Sequence, residues 1–208
     1  MKFVAPFCLF LIAITWAVDC PAQVRLNEIL ADPATDWNGD GEVDSKTDEW
    51  IEIINTGPAA VDLSGYRIGD LSGGTAWRFA FETSLGAGHI RVVYGSEVVQ
   101  WQSDHGVSTN GLSLNNSGDT VFLYRITGSD TAVVDDHAYG AHEVLDDRAI
   151  GRRPDGIGPW MLFDGLNPYT GSLPPEGTGC TPSPGVPTAC TTPVHEFTWG
   201  AVKNLYLN

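Results

Sequence analysis

Basic residues are scarce in this sequence. It contains 11 Lys and Arg residues against 26 Asp and Glu residues, which gives a formal net charge of −15 at pH 7. Contacts with nucleic acids and anionic lipids depend on Lys and Arg, because these side chains neutralise phosphates. The composition therefore argues against nucleic acid and anionic membranes as partners. It suits divalent cations, basic partners or simple solubility, and composition alone does not choose among these.

Cysteine is also rare, with four residues in the chain. Two of them, Cys8 and Cys20, fall in an N-terminal stretch that opens with a basic residue and continues as an almost unbroken apolar run to Val18. The run is too short for a comfortable membrane span, and its layout is that of a signal peptide rather than an uncleaved anchor. We expect cleavage after Ala22, with Ala17 as the alternative site.

Removal of residues 1–22 leaves Cys180 and Cys190 as the remaining cysteines. Disulfides form in exported proteins, and an even pair favours one here. We therefore predict a Cys180–Cys190 disulfide in a protein that is secreted or held at the cell surface, with no membrane span in the mature chain. Such a bond would close a small loop near the C-terminus rather than link distant parts of the core.

No stretch of the sequence keeps a helical period over three turns. From residue 24 onward, short apolar runs alternate with Gly, Asn, Asp, Ser and Pro, a pattern typical of an all-β protein. Seven or eight short strands favour a β-sandwich. A short helix over residues 92–99 is the alternative to a strand at that point. The candidate strands are residues 24–30, 50–55, 66–69, 77–81, 90–95, 112–114, 120–126 and 132–138.

The C-terminal part differs in composition from the rest of the chain. Proline, glycine and threonine dominate between residues 171 and 193, which predicts a linker over 169–194 with no core of its own. Apolar and aromatic residues return in the tail at 195–208. This tail fits either a docking segment or a last strand or helical turn packed on the domain that precedes it.

An acidic loop between the first two candidate strands carries the most specific chemical signal. Its oxygen-bearing residues alternate along the chain around glycines that permit a sharp turn, as in calcium-binding loops. Side-chain oxygens would come from Asp36, Asn38, Asp40 and Asp44, and a backbone carbonyl from Glu42. Calcium is favoured over zinc or copper because the loop has no Cys or His.

The end of this loop departs from the helix-loop-helix calcium motif. Thr47 stands where that motif has a bidentate Glu, so Asp48 or Glu49 must complete the ligand set. We expect Asp48, because Glu49 already belongs to the next strand, and we expect Val43 to anchor the loop to the core. The plain alternative is a polar loop whose Asp and Asn residues only form turns. On a β-scaffold, a calcium ion here would have a structural role, because it would stiffen a long connection.

Two strand segments read Leu-Asn-Glu-Ile-Leu at 26–30 and Asp-Glu-Trp-Ile-Glu-Ile-Ile-Asn at 48–55. With further segments they resemble, in order, successive parts of the lamin tail domain family, over about residues 24–165. The resemblance implies an immunoglobulin-like β-sandwich over residues 23–168, with the calcium loop inserted between its first two strands. It also implies a bacterial, exported, non-catalytic module. The further segments are residues 61–68, 114–123, 134–136 and 150–156.

Few residues indicate catalysis. His137 and His142 lie near acidic residues in the sequence and leave open a second metal site or a hydrolase centre, although a solvated loop explains them as well. Tryptophans could instead stack on sugars, which makes a carbohydrate-binding module the main competing function; buried sandwich tryptophans are the plain alternative. The candidates are Trp37, Trp77, Trp101 and Trp160. The prediction is a monomeric module that binds a protein or a cell-surface glycan.

Overall fold

The computed structural model of the protein describes residues 23–70 and 77–190. The expected signal peptide at 1–22 and the tail at 195–208 lie outside the described residues. In the part of the chain that is described, no helix is both long and apolar enough to cross a membrane.

The described chain forms eleven strands, one α-helix and one 3₁₀ turn. Most strands are short and are rich in Val, Ile, Phe, Trp and Tyr, which suit a pleated, half-buried surface. In chain order the elements are β1 (Val24–Leu30), β2 (Trp50–Asn55), β3 (Val61–Asp62), β4 (Tyr66–Asp70), β5 (Trp77–Ala80), β6 (Ser84–Leu85), β7 (Ile90–Tyr94), α1 (Gly95–Asp104), β8 (Gly118–Thr127), β9 (Asp130–Gly140), the 3₁₀ turn Ala141–Glu143, β10 (Ala149–Arg152) and β11 (Trp160–Phe163).

Two antiparallel sheets pack face to face around the core. The larger has the order β11-β10-β1-β2-β7 and the smaller β5-β4-β8-β9, while β3 and β6 form a two-stranded pair. The inner faces contribute apolar side chains to one buried cluster, with Leu26 and Ile53 from the larger sheet and Ile68 and Leu123 from the smaller one. This arrangement confirms the predicted all-β sandwich.

An ion-pair cluster joins β9, at the edge of the smaller sheet, to β1 and β10 of the larger sheet. Asp135 of β9 accepts hydrogen bonds from the Arg25 Nε at 3.2 Å, from the Leu26 N–H at 3.0 Å and from Arg152 Nη2 at 3.1 Å. The Asp135 and Arg152 side chains are largely shielded from solvent. Asp135 therefore fixes β9 of one sheet against β1 and β10 of the other.

The strand predicted at residues 90–95 is confirmed as β7, whereas the strand predicted at 112–114 was wrong. The chain turns into α1 directly after β7, because Gly95 packs against the Lys46 backbone and the i,i+4 pair Val98 and Gln102 faces inward. No strand forms at residues 112–114. Instead, the Gln102 side chain pairs with both backbone groups of Gly111, and this contact lets Leu112 enter the core without a strand partner.

The stretch predicted to be a linker is packed against the domain. Residues 177–190, called the strap from here on, lie on the outer face of the larger sheet, where Cys180 joins a second buried cluster with Trp50 and Phe163. The composition predicted that this segment has no core of its own. In the structure it covers apolar side chains of the larger sheet and so completes the second buried cluster. The predicted Cys180–Cys190 disulfide is formed, with the two Cα atoms 4.9 Å apart.

Candidate functional site

The acidic loop runs over residues 36–48 between β1 and β2. Asp36 shapes its first half, with Oδ1 accepting the Gly39 and Asp40 N–H groups at 2.7 and 3.1 Å and Oδ2 accepting the Gly41 N–H at 2.8 Å. Gly39 and Gly41 adopt φ values of +78° and +95°, which favour glycine. These contacts wind the chain into a tight turn around the Asp36 carboxylate.

Side chains further along the loop make similar local contacts. The Asn38 side-chain oxygen Oδ1 accepts the Asp40 N–H at 2.8 Å, and Asp40 Oδ1 accepts the Glu42 N–H at 2.9 Å. Asp44 Oδ1 accepts the Lys46 N–H at 2.8 Å. That bond is the main reason that the pKa of Asp44 lies below its usual value. The rim of the loop is therefore dense in side-chain oxygens.

Asp48 closes the loop from beneath. It is fully buried, and its Oδ1 accepts the Trp37 and Asn38 N–H groups at 2.8 and 2.9 Å while Oδ2 accepts the Asp44 N–H at 2.8 Å. Both oxygens are thus engaged with the backbone of the loop. In this conformation Asp48 holds the two ends of the loop together, whereas the sequence assigned it to the cation.

The predicted anchor of the loop was wrong. Val43 is 57% exposed, and the anchoring contact comes from Trp37, whose ring lies edge-on against Trp50 with centroids 6.0 Å apart. The Trp37 indole N–H also donates to Asp147 Oδ1 at 2.7 Å. Asp147 accepts from the Thr35 hydroxyl as well, at 2.6 Å. Sequence reasoning missed Asp147, because nothing in a run of loop acids marks one of them as buried.

The loop side chains do not converge on one point in this conformation. Across residues 23–70 and 77–190, no group of three or more His, Cys, Asp or Glu residues is placed to hold a metal ion. The acids nearest the rim, Asp36, Asp40 and Asp44, are turned toward backbone N–H groups. The loop therefore presents the oxygen donors that a hard cation needs, in a frame fixed by Asp48 and Trp37.

A comparison with known protein families identifies the domain that carries this loop. The family model for the lamin tail domain matches residues 19–141, more than half of the chain. The chain belongs to the lamin tail domain family. No curated protein matches it. The family comprises immunoglobulin-like domains that are typically non-enzymatic, in agreement with the sandwich described above.

The histidines of this lamin tail domain occupy separate surroundings. His137 stacks on Trp160 with ring centroids 3.9 Å apart, and burial lowers its pKa to about 4. His142 instead donates from Nε2 to the Pro174 carbonyl, 3.1 Å away. The carboxylate beside His137 is Asp135, which is already paired with arginines. The two histidines thus serve packing and loop contacts in the described structure.

The four candidate tryptophans are all half-buried. Trp160 lies between His137 and the Arg152 guanidinium, which is 4.7 Å from the ring centroid, and Trp37 packs on Trp50. Trp77 and Trp101 line a groove of about 430 Å³ together with polar residues that include Gln102. Trp77 and Trp101 therefore share one groove.

Buried glutamates are the residues that sequence reasoning overlooked most. Glu28, Glu49 and Glu52 lie in or beside β1 and β2 and are almost fully buried. Burial raises the pKa of Glu49 to about 8 and that of Glu52 to about 7, and it raises the pKa of Glu28 well above its usual value. The sequence does show an acid inside each apolar strand segment. The alternation of side chains along a strand would place these acids on the solvent face, so the pattern did not indicate that they are buried.

Proposed function

We propose that this lamin tail domain is an exported, non-catalytic module that mediates protein or cell-surface interactions and is stabilised by calcium in the loop 36–48. The observation that supports it is the loop itself. Five residues at alternate positions present oxygens on an exposed rim, while Asp48 and Trp37 fix the frame below. The apolar N-terminal run and the Cys180–Cys190 disulfide agree with export.

In this proposal the ligands are the side chains of Asp36, Asn38, Asp40 and Asp44 and the carbonyl of Glu42. Calcium takes six to eight oxygens in flexible geometry, so a loop of this length can adjust to it. The ion would take over carboxylate oxygens that now accept backbone N–H groups. Asp48 would keep its backbone contacts and support the ligand residues from the buried side.

The non-catalytic part of the proposal is supported by the surroundings of the candidate catalytic groups. His137 is held neutral and stacked on Trp160, and Asp135 is paired with Arg25 and Arg152. A general base needs a free acceptor within hydrogen-bond reach of a bound substrate. These side chains are already used to hold the two sheets together.

Carbohydrate binding is the second candidate, and the groove beside Trp77 and Trp101 is the observation that favours it. Aromatic rings with nearby amides are the usual elements of a sugar subsite. Glycan-array binding by the whole chain, compared with Trp77→Ala, would separate the two candidates. Binding that survives the substitution would place the glycan elsewhere.

Calcium titration tests the main proposal. We expect the whole chain to bind calcium with saturable heat in calorimetry, and to melt at a higher temperature in calcium than in chelator, because an ion that binds only the folded state stabilises it. Asp40→Ala should lose both effects. Asp40 is suited to the test because it is exposed and the hydrogen bonds that its carboxylate accepts come from within the loop.

Glu82→Ala provides the matched control, since Glu82 is an exposed acid far from the loop in sequence. It should bind calcium like the unaltered chain. If the unaltered chain gives no heat and no shift in melting temperature, the loop is a solvated turn and the calcium part of the proposal is wrong.

A further inference from the structure

Three acidic side chains hold the strap on the outer face of the larger sheet. Glu28 accepts the Ser183 N–H and hydroxyl, both at 3.1 Å, and Glu52 Oε2 accepts the Gly185 N–H at 2.8 Å. Asp155 accepts the Thr188 N–H at 3.0 Å and its hydroxyl at 2.8 Å.

Glu28 and Glu52 are directly opposite each other on β1 and β2. Two buried acidic side chains so placed repel each other when both ionise, unless hydrogen-bond donors compensate them. The Asn27 side chain supplies one donor, to Glu52 at 2.6 Å. The strap supplies the donors described for Ser183 and Gly185. The acids and the strap therefore satisfy one another.

The two ends of the strap are held differently. At its start, the Cys180 carbonyl accepts the Gly165 N–H at 2.7 Å and the Gly179 N–H donates to Asp164 at 2.8 Å, so Cys180 is fixed to the loop after β11 and is buried. Cys190 is tied to this fixed point through its disulfide. The bond therefore returns the far end of the strap to the sheet.

The surroundings of the disulfide favour attack at one sulfur. Cys190 is partly exposed, whereas Cys180 is buried, so a reductant reaches the Cys190 sulfur first. The Arg153 guanidinium donates to the Cys180 sulfur at 3.8 Å. Its positive charge stabilises the thiolate that leaves when the bond breaks, and a better leaving group speeds thiol–disulfide exchange.

We propose that the strap is a redox latch: reduction of Cys180–Cys190 by a dithiol releases residues 181–190 from the sheet and opens the acid-lined face beneath them. One thiolate of the dithiol attacks the Cys190 sulfur, and Cys180 departs as a thiolate beside Arg153. The second thiol of the reductant then displaces Cys190. Two electrons and two protons pass to the protein as two thiols, and the reductant becomes a disulfide.

The open state would present a new surface. Glu28 and Glu52 would lose their strap donors, and the apolar cluster around Trp50 and Phe163 would lose its contact with Cys190. An acid-lined apolar face of this kind suits a segment that carries N–H and hydroxyl donors, as the strap does. The core between the two sheets does not depend on the strap and stays closed.

Hydrogen exchange on the full chain, with and without a dithiol, tests the latch. We expect the amides of Ser183, Gly185 and Thr188 to exchange at least about tenfold faster after reduction, while amides of β1 and β8 change by less than about twofold. Mass spectrometry of the 180–190 peptide confirms that the bond is reduced. The Cys180→Ser/Cys190→Ser double variant should reproduce the reduced pattern without reductant.

Arg153 gives a second readout that does not depend on the fate of the strap. Arg153→Gln should slow reduction of the disulfide by about three- to tenfold, and Arg153→Lys should restore the rate, because the charge on the leaving sulfur is what matters. Val186→Ala is the matched control, since Val186 lies on the strap with 57% of its surface exposed. It should leave both the exchange and the rate unchanged.

Two results would overturn the proposal. If the three strap amides stay protected after full reduction, the acids hold the strap without the disulfide and there is no latch. If the amides of β1 and β8 lose protection together with those of the strap, the disulfide supports the whole fold and does not control a local opening.

Discussion

Replacing Asp48 by alanine is expected to lower the free energy of unfolding by about 3 to 5 kcal/mol, even with calcium removed by chelator. The carboxylate is buried and accepts the N–H groups of Trp37, Asn38 and Asp44. Alanine leaves these three donors without their acceptor and also removes the link between the two ends of the loop. Denaturant unfolding followed by tryptophan fluorescence would measure the loss.

Asp44→Ala is the matched control for Asp48→Ala, because Asp44 lies in the same loop but on its exposed rim. In chelator it should cost much less than Asp48→Ala. Asp48→Asn should fall between the two, since the amide keeps one acceptor oxygen. Equal losses for Asp44→Ala and Asp48→Ala would mean that the buried carboxylate does not organise the loop.

The second large effect expected is a loss of stability as the pH rises above neutrality. Burial raises the pKa of Glu52 to about 7 and that of Glu49 to about 8, against 4.5 for an unperturbed glutamate. The folded state therefore holds these protons more tightly than the unfolded state does. Their contribution to stability is complete below about pH 4.5 and is lost progressively as the pH rises through 7 and 8.

The slope of this loss is about 1.4 kcal/mol per pH unit for each proton that only the folded state retains. His137 acts in the opposite direction at acid pH, because its pKa of about 4 means that the folded state holds it neutral. Denaturant unfolding in chelator between pH 6.5 and 9 therefore isolates the glutamates.

Glu49→Gln should flatten the pH dependence, because the amide keeps an acceptor for the Leu114 N–H but carries no titrating proton. Glu82→Gln, an exposed position, serves as its control and should keep the slope of the unaltered chain. A free energy of unfolding that stays constant or rises from pH 6.5 to 9 would show that the buried glutamates are not protonated in the folded state.

The strands were predictable where a short apolar run is followed by turn-forming residues, such as Asp32 and Pro33 after β1 or Gly57 and Pro58 after β2. Residues 24–30 and 50–55 have this form, and the strands formed at those bounds. Residues 112–114 look the same locally but form no strand, because a side-chain contact from Gln102 replaces the ladder. Local patterns report which residues are buried more reliably than they report which backbone partner each residue finds.

The sequence by itself determined the sandwich class, the family, the disulfide and the position of the acidic loop. Each of these depends on residue type and spacing along the chain, which are local. Only the tertiary structure decided that Asp48 and Trp37 frame the loop, that Glu28 and Glu52 are buried, and that the Pro-rich strap covers the sheet. The strap contacts join partners more than 100 residues apart, such as Glu28 and Ser183, and the loop frame depends on which of several acids is buried, so local patterns determine neither.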